Sequence, residues 1–311
     1  MQGLKGRDFL TLLDLNPGEL SELLELATKL KSGQVTARCE KVLGLLFSKA
    51  STRTRVSFTV AMSQLGGQTI DLNPMVTQVS RGEPLPDTAR VLDRYLDVLA
   101  VRTFAQADLE TYAKYADIPV INALTDLGHP CQTLADLMTA KECFGTFEGV
   151  TVSYFGDGNN VAHSLMLGCA MVGMNVRIAT PPDYEPDATI VAEAKKQAGD
   201  RSEVIITTDP VAAAKDARVL YTDVWASMGQ ESEADSRIPL FEPYQINSEL
   251  LEYADPEAIV LHCLPAHRGE EITNAVIEGD RSRVWDQAEN RMHAQKALLA
   301  SLLGATFEEK N

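Results

Sequence analysis

The sequence predicts an α/β fold of two domains, each built on a mainly parallel sheet flanked by helices. The 311 residues, 45% of them hydrophobic, suffice for two cores at about 150 residues per domain. Short apolar runs alternate with amphipathic helical patterns, which favours parallel strands joined by crossover helices. A glycine-bounded break at 145–149 separates two such series. Because ligands of such folds bind at strand ends and between domains, the interdomain cleft is the expected ligand site.

The first domain is expected to span residues 1–144. Its opening helix is signalled by Asn16 as the cap, Pro17 at the first helical position and Glu19 closing a capping box. A second predicted helix ends at the glycine pair 66–67, since glycine favours helix termination. The further patterns predict strands at 42–47, 68–72, 97–102 and 119–123, and helices at 52–65, 86–95, 107–115 and 131–144.

The second domain is expected to span residues 145–287. After it, a final amphipathic helix at about 288–303 ends at Gly304, and the segment 288–311 is expected to pack back on the first domain. Apolar runs predict strands at 150–155, 176–179, 203–207, 218–222 and 258–262.

Composition excludes several classes of function. The net charge is −16 and no long Lys/Arg tract offsets it, so nucleic-acid binding is disfavoured. The apolar runs fall far short of the roughly 18 residues of a membrane helix. The N-terminus has no secretory signal pattern, and the five cysteines lack a CxxC spacing. A cytoplasmic protein with free thiols, bound to neither membrane nor nucleic acid, is therefore expected.

The densest polar cluster is residues 51–55, STRTR, between a predicted strand and a predicted helix. Helix N-termini present unpaired N–H groups and a positive dipole end, hydroxyls add donors, and arginine offers a fork that matches phosphate oxygens. The segment therefore predicts an anion site. A Ser/Thr helix cap beside two solvated arginines is the alternative reading.

The sequence gives only weak signals for a nucleotide, NAD or zinc site. The P-loop motif GxxxxGK[ST] is absent. The turn 156–161, GDGNNV, begins like a dinucleotide fingerprint, but Val161 stands where the third glycine belongs, so NAD binding is disfavoured. A zinc site at His262, Cys263 and His267 has unconvincing spacing. We therefore expect neither a metal nor an organic cofactor.

Seven motifs follow one another along nearly the whole chain: FSKASTRTRVSF (47–58), QVSRGEPLPDTARVLDRY (78–95), GHPCQTLADLMT (128–139), GDGNN (156–160), DVWASMGQE (223–231), HCLPAH (262–267) and AENRMHAQKALL (288–299). In this order they resemble the aspartate/ornithine carbamoyltransferase family. STRTR is common to both branches, whereas the combination of HPCQ, SMG and HCLP is similar to the ornithine branch.

The resemblance implies transfer of the carbamoyl group of carbamoyl phosphate to the side-chain amine of L-ornithine, giving L-citrulline and phosphate, at an active site in the interdomain cleft. It implies that Ser51 to Thr54 hold the phosphate and that His129 and Gln132 contact the carbamoyl group. The carbamoyl phosphate residues implied are Ser51, Thr52, Arg53, Thr54, Gln78, Arg102, His129, Gln132, Cys263, Leu264 and Arg291.

On the acceptor side, the resemblance implies four ornithine-binding residues, Asn160, Asp223, Ser227 and Met228, and a catalytic set of Arg102, His129, Asp223 and Cys263. An acid, a thiol and neutral donors suit ornithine better than aspartate. Putrescine and N-acetylornithine remain open as acceptors. The attacking amine must lose a proton, and either Cys263 or the phosphate could accept it.

The resemblance further implies a homo-oligomer, a trimer or a multiple of trimers. The long polar loop at 73–84 could carry Gln78 into a neighbouring subunit's phosphate pocket. Arginine biosynthesis is the expected role, although catabolic phosphorolysis of citrulline would use the same site in reverse. A noncatalytic binding protein of the same fold is disfavoured, because His129, Gln132, Asp223 and Cys263 are all present.

Overall fold

The computed structural model describes residues 2–49, 51–73, 78–226 and 234–309 of the chain. The chain forms two compact units. Unit 1 comprises Met1–Met138 and Glu289–Asn311, and unit 2 comprises Thr139–Ala288. Among the described residues, no helix combines the length and the apolar character needed to cross a bilayer.

The first part of unit 1 alternates strands and helices as the sequence predicts. The capping box of the first helix is confirmed: Asn16 Oδ1 accepts from the Glu19 amide at 2.9 Å, and Glu19 Oε2 accepts from the Asn16 amide at 2.9 Å. The elements are α1 (Pro17–Ser32), β1 (Val35–Arg38), β2 (Val42–Phe47), α2 (Thr52–Gln64), β3 (Gln68–Leu72), α3 (Leu85–Leu92), β4 (Val98–Arg102), α4 (Gln106–Tyr115), β5 (Val120–Leu124) and α5 (Pro130–Phe144).

The main sheet of unit 1 has the strand order β3-β2-β4-β5, and all of its pairs are parallel. Its inner strands β2 and β4 are apolar up to Arg102, the last residue of β4, as expected for a sheet covered on both faces. Parallel pairing brings the carboxyl ends of β2, β4 and β5 to one edge. That edge therefore presents the three segments that begin at Ser48, Thr103 and Thr125.

The second series of elements follows the same rhythm. Each predicted strand of the chain is found with bounds within one residue of those expected, which confirms the fold class. The elements are β6 (Thr151–Phe155), α6 (Asn160–Val172), β7 (Asn175–Ala179), α7 (Ala188–Ala198), β8 (Val204–Thr207), α8 (Pro210–Ala214), β9 (Val219–Thr222), α9 (Ala234–Phe241), α10 (Ser248–Leu251), β10 (Ile259–His262), α11 (Asn274–Ile277), α12 (Val284–Leu303) and β11 (Thr306–Glu309).

The sheet of unit 2 has the order β10-β9-β6-β7-β8 and is also entirely parallel. The carboxyl ends of its three neighbouring strands β6, β9 and β10 bring the loops that follow Phe155, Thr222 and His262 to one edge. The sheet thus gathers GDGNN, the start of DVWASMG, and HCLP.

Two features at the end of the chain differ from the sequence prediction. Helix α12 begins at Val284, four residues earlier than expected, because Val284 is fully buried and stabilises an additional turn. Strand β11 pairs antiparallel with β1, although neither strand was predicted. Apart from the buried Val35, their side chains are exposed or half-exposed, so the two strands lack the apolar run that marks a buried strand.

The turn after β6 is built around Gly158. A Cβ at this position would overlap the backbone nitrogen of Pro186 and the carbonyl carbon of Glu185. The Gly158 amide also donates to the Tyr184 carbonyl at 2.9 Å. Glycine is therefore required by close backbone approach, and the contact fixes the start of α6.

We expect Gly158→Ala to destabilise unit 2 by about 1–3 kcal/mol, because the backbone must move to admit the methyl group. Gly3→Ala is the matched control, since a Cβ there meets its nearest neighbouring atom at 3.8 Å. Calorimetric unfolding of both variants checks the expectation. Equal melting temperatures would show that the turn at Gly158 has room for a side chain.

Candidate active site

Ser51 and the first turn of α2 form the centre of the anion site predicted in unit 1. Ser51 is the N-cap in extended conformation and makes no side-chain capping hydrogen bond, so its hydroxyl is not committed to the helix. Arg102, at the end of β4, donates from Nη1 to Ser51 Oγ at 3.4 Å. Thr52 and Arg53 are exposed on the same turn. Hydroxyls, a helix N-terminus and guanidinium groups are thus combined at one sheet edge.

The two arginines of the STRTR motif have different surroundings. Arg55 pairs with Asp71 and lies over the ring of Phe47 at 5.0 Å from the centroid. Arg53 is exposed on the first turn of α2 and close enough to His129 to influence its titration. Arg55 is therefore held by neighbours within unit 1, whereas the charge of the exposed Arg53 acts on His129.

A buried polar chain continues the cluster through Arg291 of α12. Its Nη2 donates to Thr54 Oγ1 at 2.8 Å, and its Nη1 donates to Gln132 Oε1 at 3.0 Å. Gln132 in turn donates from Nε2 to Asp136 Oδ1 at 2.8 Å. The structure therefore brings together the sequence candidates Thr54, Gln132 and Arg291, and adds Asp136, which the motif analysis did not single out.

His129 lies at the start of α5 and is only 4% exposed. Burial holds its pKa well below the ordinary range, and the positive charges of Arg291, Arg102 and Arg53 lower the pKa further. The imidazole is therefore neutral at pH 7. A neutral imidazole among three guanidinium groups can donate a hydrogen bond without adding a fourth positive charge.

Gln78 has no contact with these groups among the described hydrogen bonds and ion pairs. It begins the short 3-10 turn Gln78–Arg81, and its side chain is exposed. Its role in a phosphate pocket stays a prediction.

In unit 2, Asp223 is the centre of the candidate acceptor site. It is 7% exposed and follows β9. Cys263 donates from Sγ to Asp223 Oδ1 at 2.8 Å, and Asn159 donates from Nδ2 to Asp223 Oδ2 at 3.1 Å. Asn160, the first residue of α6, is half-buried. The structure thus joins Asp223 and Cys263, which are 40 residues apart.

Asn159 is a site residue that the motif analysis missed. Its Oδ1 caps α6 by accepting from the amides of Val161 at 2.9 Å and Ala162 at 3.2 Å, which leaves Nδ2 to donate to Asp223. The signal was present in the sequence, because Asn159 lies beside Asn160 in GDGNN. Choosing between the two asparagines requires knowing which one caps the helix.

The HCLP segment is held by a buried His–Glu pair. His262 Nδ1 accepts from the Leu264 amide at 2.8 Å, so the ring proton is on Nε2, which lies 2.9 Å from Glu271 Oε1. Asp223, His262 and Cys263 have potential ligand atoms within 4.8 Å of one another. Both ring nitrogens of His262 are nevertheless engaged, so this histidine has no lone pair for a metal ion.

A buried ion pair supports the two turns beside Asp223. Arg237 of α9 donates from Nη1 to Asp157 Oδ2 at 2.9 Å and to the Trp225 carbonyl at 2.9 Å. Arg237 thereby connects GDGNN to Trp225, which precedes residues 227–233, and to α9, which follows them. Ser227 and Met228, the other ornithine-binding candidates, lie outside the described residues.

Comparisons with known proteins identify the family of the chain. Residues 7–142 match the family profile "Aspartate/ornithine carbamoyltransferase, carbamoyl-P binding domain", and residues 148–302 match "Aspartate/ornithine carbamoyltransferase, Asp/Orn binding domain". The ornithine carbamoyltransferase of Nostoc punctiforme is 72% identical over 305 residues, which cover 98% of this chain and 100% of that protein.

Solved structures give the same result. Ornithine carbamoyltransferase from Gloeobacter violaceus superposes with a TM-score of 0.89 at 59% identity, covering 96% of this chain and 98% of that one. The enzyme from Pyrococcus furiosus superposes with a TM-score of 0.92 at 51% identity, covering 97% and 98%. With two matching domains and relatives of this similarity over nearly its full length, the chain belongs to the aspartate/ornithine carbamoyltransferase family.

Proposed function

We propose that the protein is a transferase that moves the carbamoyl group of carbamoyl phosphate to the side-chain amine of L-ornithine, giving L-citrulline and phosphate. The observation that supports ornithine as the acceptor of the carbamoyl group is the hydrogen bond from Cys263 to Asp223. It places a carboxylate, which attracts an ammonium group, beside a neutral thiol. The names of the relatives support the same substrate.

In this proposal, the first turn of α2 binds the phosphate of carbamoyl phosphate. A protein of net charge −16 repels a dianion at long range, so a local cluster of guanidinium groups must reverse the field. Arg53, Arg102 and Arg291 supply that charge, and Ser51 and Thr54 supply hydroxyls. The remaining contacts proposed for carbamoyl phosphate are with Thr52, Gln78, His129, Gln132, Cys263 and Leu264.

Arg102 and neutral His129 polarise the carbamoyl carbonyl in the proposed mechanism. Attack by an amine places negative charge on the carbonyl oxygen, and donors fixed before the reaction stabilise that charge without reorganising. The same arginines stabilise the phosphate as it leaves. The burial of His129 supports this role, because donors act more strongly where water is excluded.

Asp223 is the starting point for the proposed contacts to ornithine, which accepts the carbamoyl group. The Asp223 carboxylate binds the α-ammonium group of ornithine, and Asn160, Ser227 and Met228 complete the proposed contacts to the backbone end of the substrate. Deprotonating an alkyl amine of pKa near 10.4 at pH 7 costs roughly 4.6 kcal/mol. The Cys263 thiol keeps its proton and uses it in the hydrogen bond to Asp223. We therefore favour the phosphate as the acceptor of the amine proton.

A turnover assay with purified protein tests the acceptor. We expect carbamoyl phosphate and L-ornithine to give citrulline, with putrescine and N-acetylornithine at least about 100-fold poorer in kcat/KM, because each lacks a group that the site pairs. Faster reaction with either alternative amine would identify it as the substrate. Absence of turnover with all three would refute carbamoyl transfer to these amines.

We expect Arg53→Ala to weaken carbamoyl phosphate binding by about 10- to 100-fold, the value of a charge-assisted hydrogen-bonded pair. Arg55→Ala is the matched control, since Arg55 is held by Asp71. Its affinity is expected to stay within about threefold of the unmodified protein. Calorimetric titration with carbamoyl phosphate measures both. Equal losses in the two variants would remove Arg53 from the phosphate site.

We expect Asp223→Asn to raise the KM for ornithine by at least about 30-fold while carbamoyl phosphate affinity stays unchanged, because a buried carboxylate facing an ammonium group contributes several kcal/mol. Asp200→Asn, an exposed position in the same unit, controls for the loss of one negative charge. Initial rates at saturating carbamoyl phosphate give the KM values. Normal ornithine saturation in Asp223→Asn would exclude this carboxylate from the acceptor site.

We also propose a homotrimer or a multiple of trimers. Unit 1 has an exposed apolar patch on packed neighbours, α2 and the edge strand β3: Val56 is 56% exposed, Val60 37% and Ile70 46%. Large apolar side chains exposed on neighbouring elements support an association site. The patch precedes the loop that carries Gln78, which supports contact between Gln78 and a neighbouring subunit.

A mixing experiment tests whether Gln78 acts across subunits. Variants Gln78→Ala and Arg102→Ala are each expected to be inactive. Unfolded together and reassembled, they should regain activity at roughly one quarter of the sites, where an intact loop meets an intact pocket. Each variant reassembled alone is the control. Activity no higher than these controls would place Gln78 outside a shared site.

For the cellular setting, we propose arginine biosynthesis in the cytoplasm. All five cysteines are free, which suits a reducing compartment. Carbamoyl phosphate is a mixed anhydride, whereas the ureido group of citrulline is stabilised by resonance, so transfer toward citrulline is the downhill direction.

A further inference from the structure

The buried chain in unit 1 contains a carboxylate that the proposed mechanism does not use. Asp136 is 2% exposed, and it bonds Gln132, which is 1% exposed. Gln132 bonds Arg291, which is 4% exposed. A buried carboxylate costs free energy unless its contacts offset the loss of water, so the bond that Asp136 accepts from Gln132 calls for an account.

The two neighbours of Gln132 leave its amide only one orientation. A carboxylate accepts hydrogen bonds and does not donate, whereas a guanidinium group donates and does not accept. The Nε2 group must therefore face Asp136, and Oε1 must face Arg291. Turning the amide over would set N–H against N–H on one side and oxygen against oxygen on the other.

Helix geometry makes this arrangement stiff. Gln132 and Asp136 are four residues apart on α5, so their side chains lie on the same face, one turn from each other. Arg291 is itself fixed by its second bond, to Thr54 at 2.8 Å. The carbonyl of Gln132 thus stays in place before any ligand binds.

We propose that Asp136 is a positioning residue that makes the donor site specific for a carbamoyl group. The inference rests on the proposed function and concerns the phosphate-bearing substrate alone. An amide oxygen has two lone pairs, and Arg291 occupies one at Oε1 of Gln132. The second accepts an N–H of the carbamoyl NH₂, which acetyl phosphate lacks because it has a methyl group in that position.

The inference predicts a change in specificity rather than a general loss of binding. Without Asp136, the Nε2 group of Gln132 loses its acceptor and the amide is no longer held. Affinity for carbamoyl phosphate should then fall by at least about tenfold, the value of a hydrogen bond to a fixed buried group. Acetyl phosphate and inorganic phosphate make no bond to Oε1, so their affinities should change by less than about threefold.

Calorimetric titrations of Asp136→Ala with carbamoyl phosphate, acetyl phosphate and inorganic phosphate, all without an amine, test the inference. Asp136→Asn is the matched control, because its carbonyl can still accept from Gln132, and it should keep the discrimination between carbamoyl and acetyl phosphate. If Asp136→Ala does not fold, Asp136→Leu removes the same acceptor and fills the space. Equal losses for all three ligands would overturn the inference and leave Asp136 a structural residue.

A double-mutant cycle with Gln132→Met tests whether Asp136 acts through Gln132. In that background, removal of Asp136 should no longer change the ratio of the carbamoyl to the acetyl phosphate affinity. A change of the same size in both backgrounds would overturn the inference. Since no ornithine is present, these binding ratios are independent of the turnover assay that tests the proposed function.

Discussion

The burial of the Arg291 guanidinium is the constraint on which the chemistry of unit 1 depends. This group keeps its proton at any physiological pH, so its removal from water requires acceptors of fixed geometry. Thr54 and Gln132 provide them, and the requirement connects α2, α5 and α12. Burial is the main cause of the low pKa of His129, and the charge of Arg291 lowers that pKa further. The buried guanidinium therefore contributes both to the positive charge of the cluster and to the neutrality of its imidazole.

In unit 2 the buried charge is negative and lies on Asp223. A nearly buried carboxylate is stabilised by neutral donors, the thiol of Cys263 and the amide of Asn159, rather than by a cation. Arg237, which lies on a neighbouring segment, bonds Asp157. In the described contacts the Asp223 carboxylate is therefore bonded by neutral groups, so it retains its attraction for a cationic ligand. The polar clusters of the two units thus differ in charge, with guanidinium groups in unit 1 and a carboxylate in unit 2.

Much of this could be predicted from the sequence. Apolar runs located the strands of both parallel sheets, and the capping box around Asn16 located the first helix, because those signals depend on local physics. Asp136, Asn159 and Arg237 were not found. Each acts through a hydrogen bond to a residue whose position depends on the tertiary fold, and an Asp or Arg in isolation reads as a solvated surface residue. Strands β1 and β11 were not predicted for a related reason, since Val35 is the one buried side chain that they contribute and they show no apolar run.

The C-terminal segment has a consequence for the order in which the protein is made. Unit 1 is discontinuous: its first part ends at Met138, and it is completed by Glu289–Asn311, which includes Arg291 and the strand that pairs with β1. A ribosome must therefore synthesise the whole of unit 2 before the guanidinium that binds Thr54 and Gln132 exists. Unit 2 can fold from a contiguous stretch while the nascent chain still grows. The anion site, although it begins at residue 51, is among the last parts of the molecule to be completed.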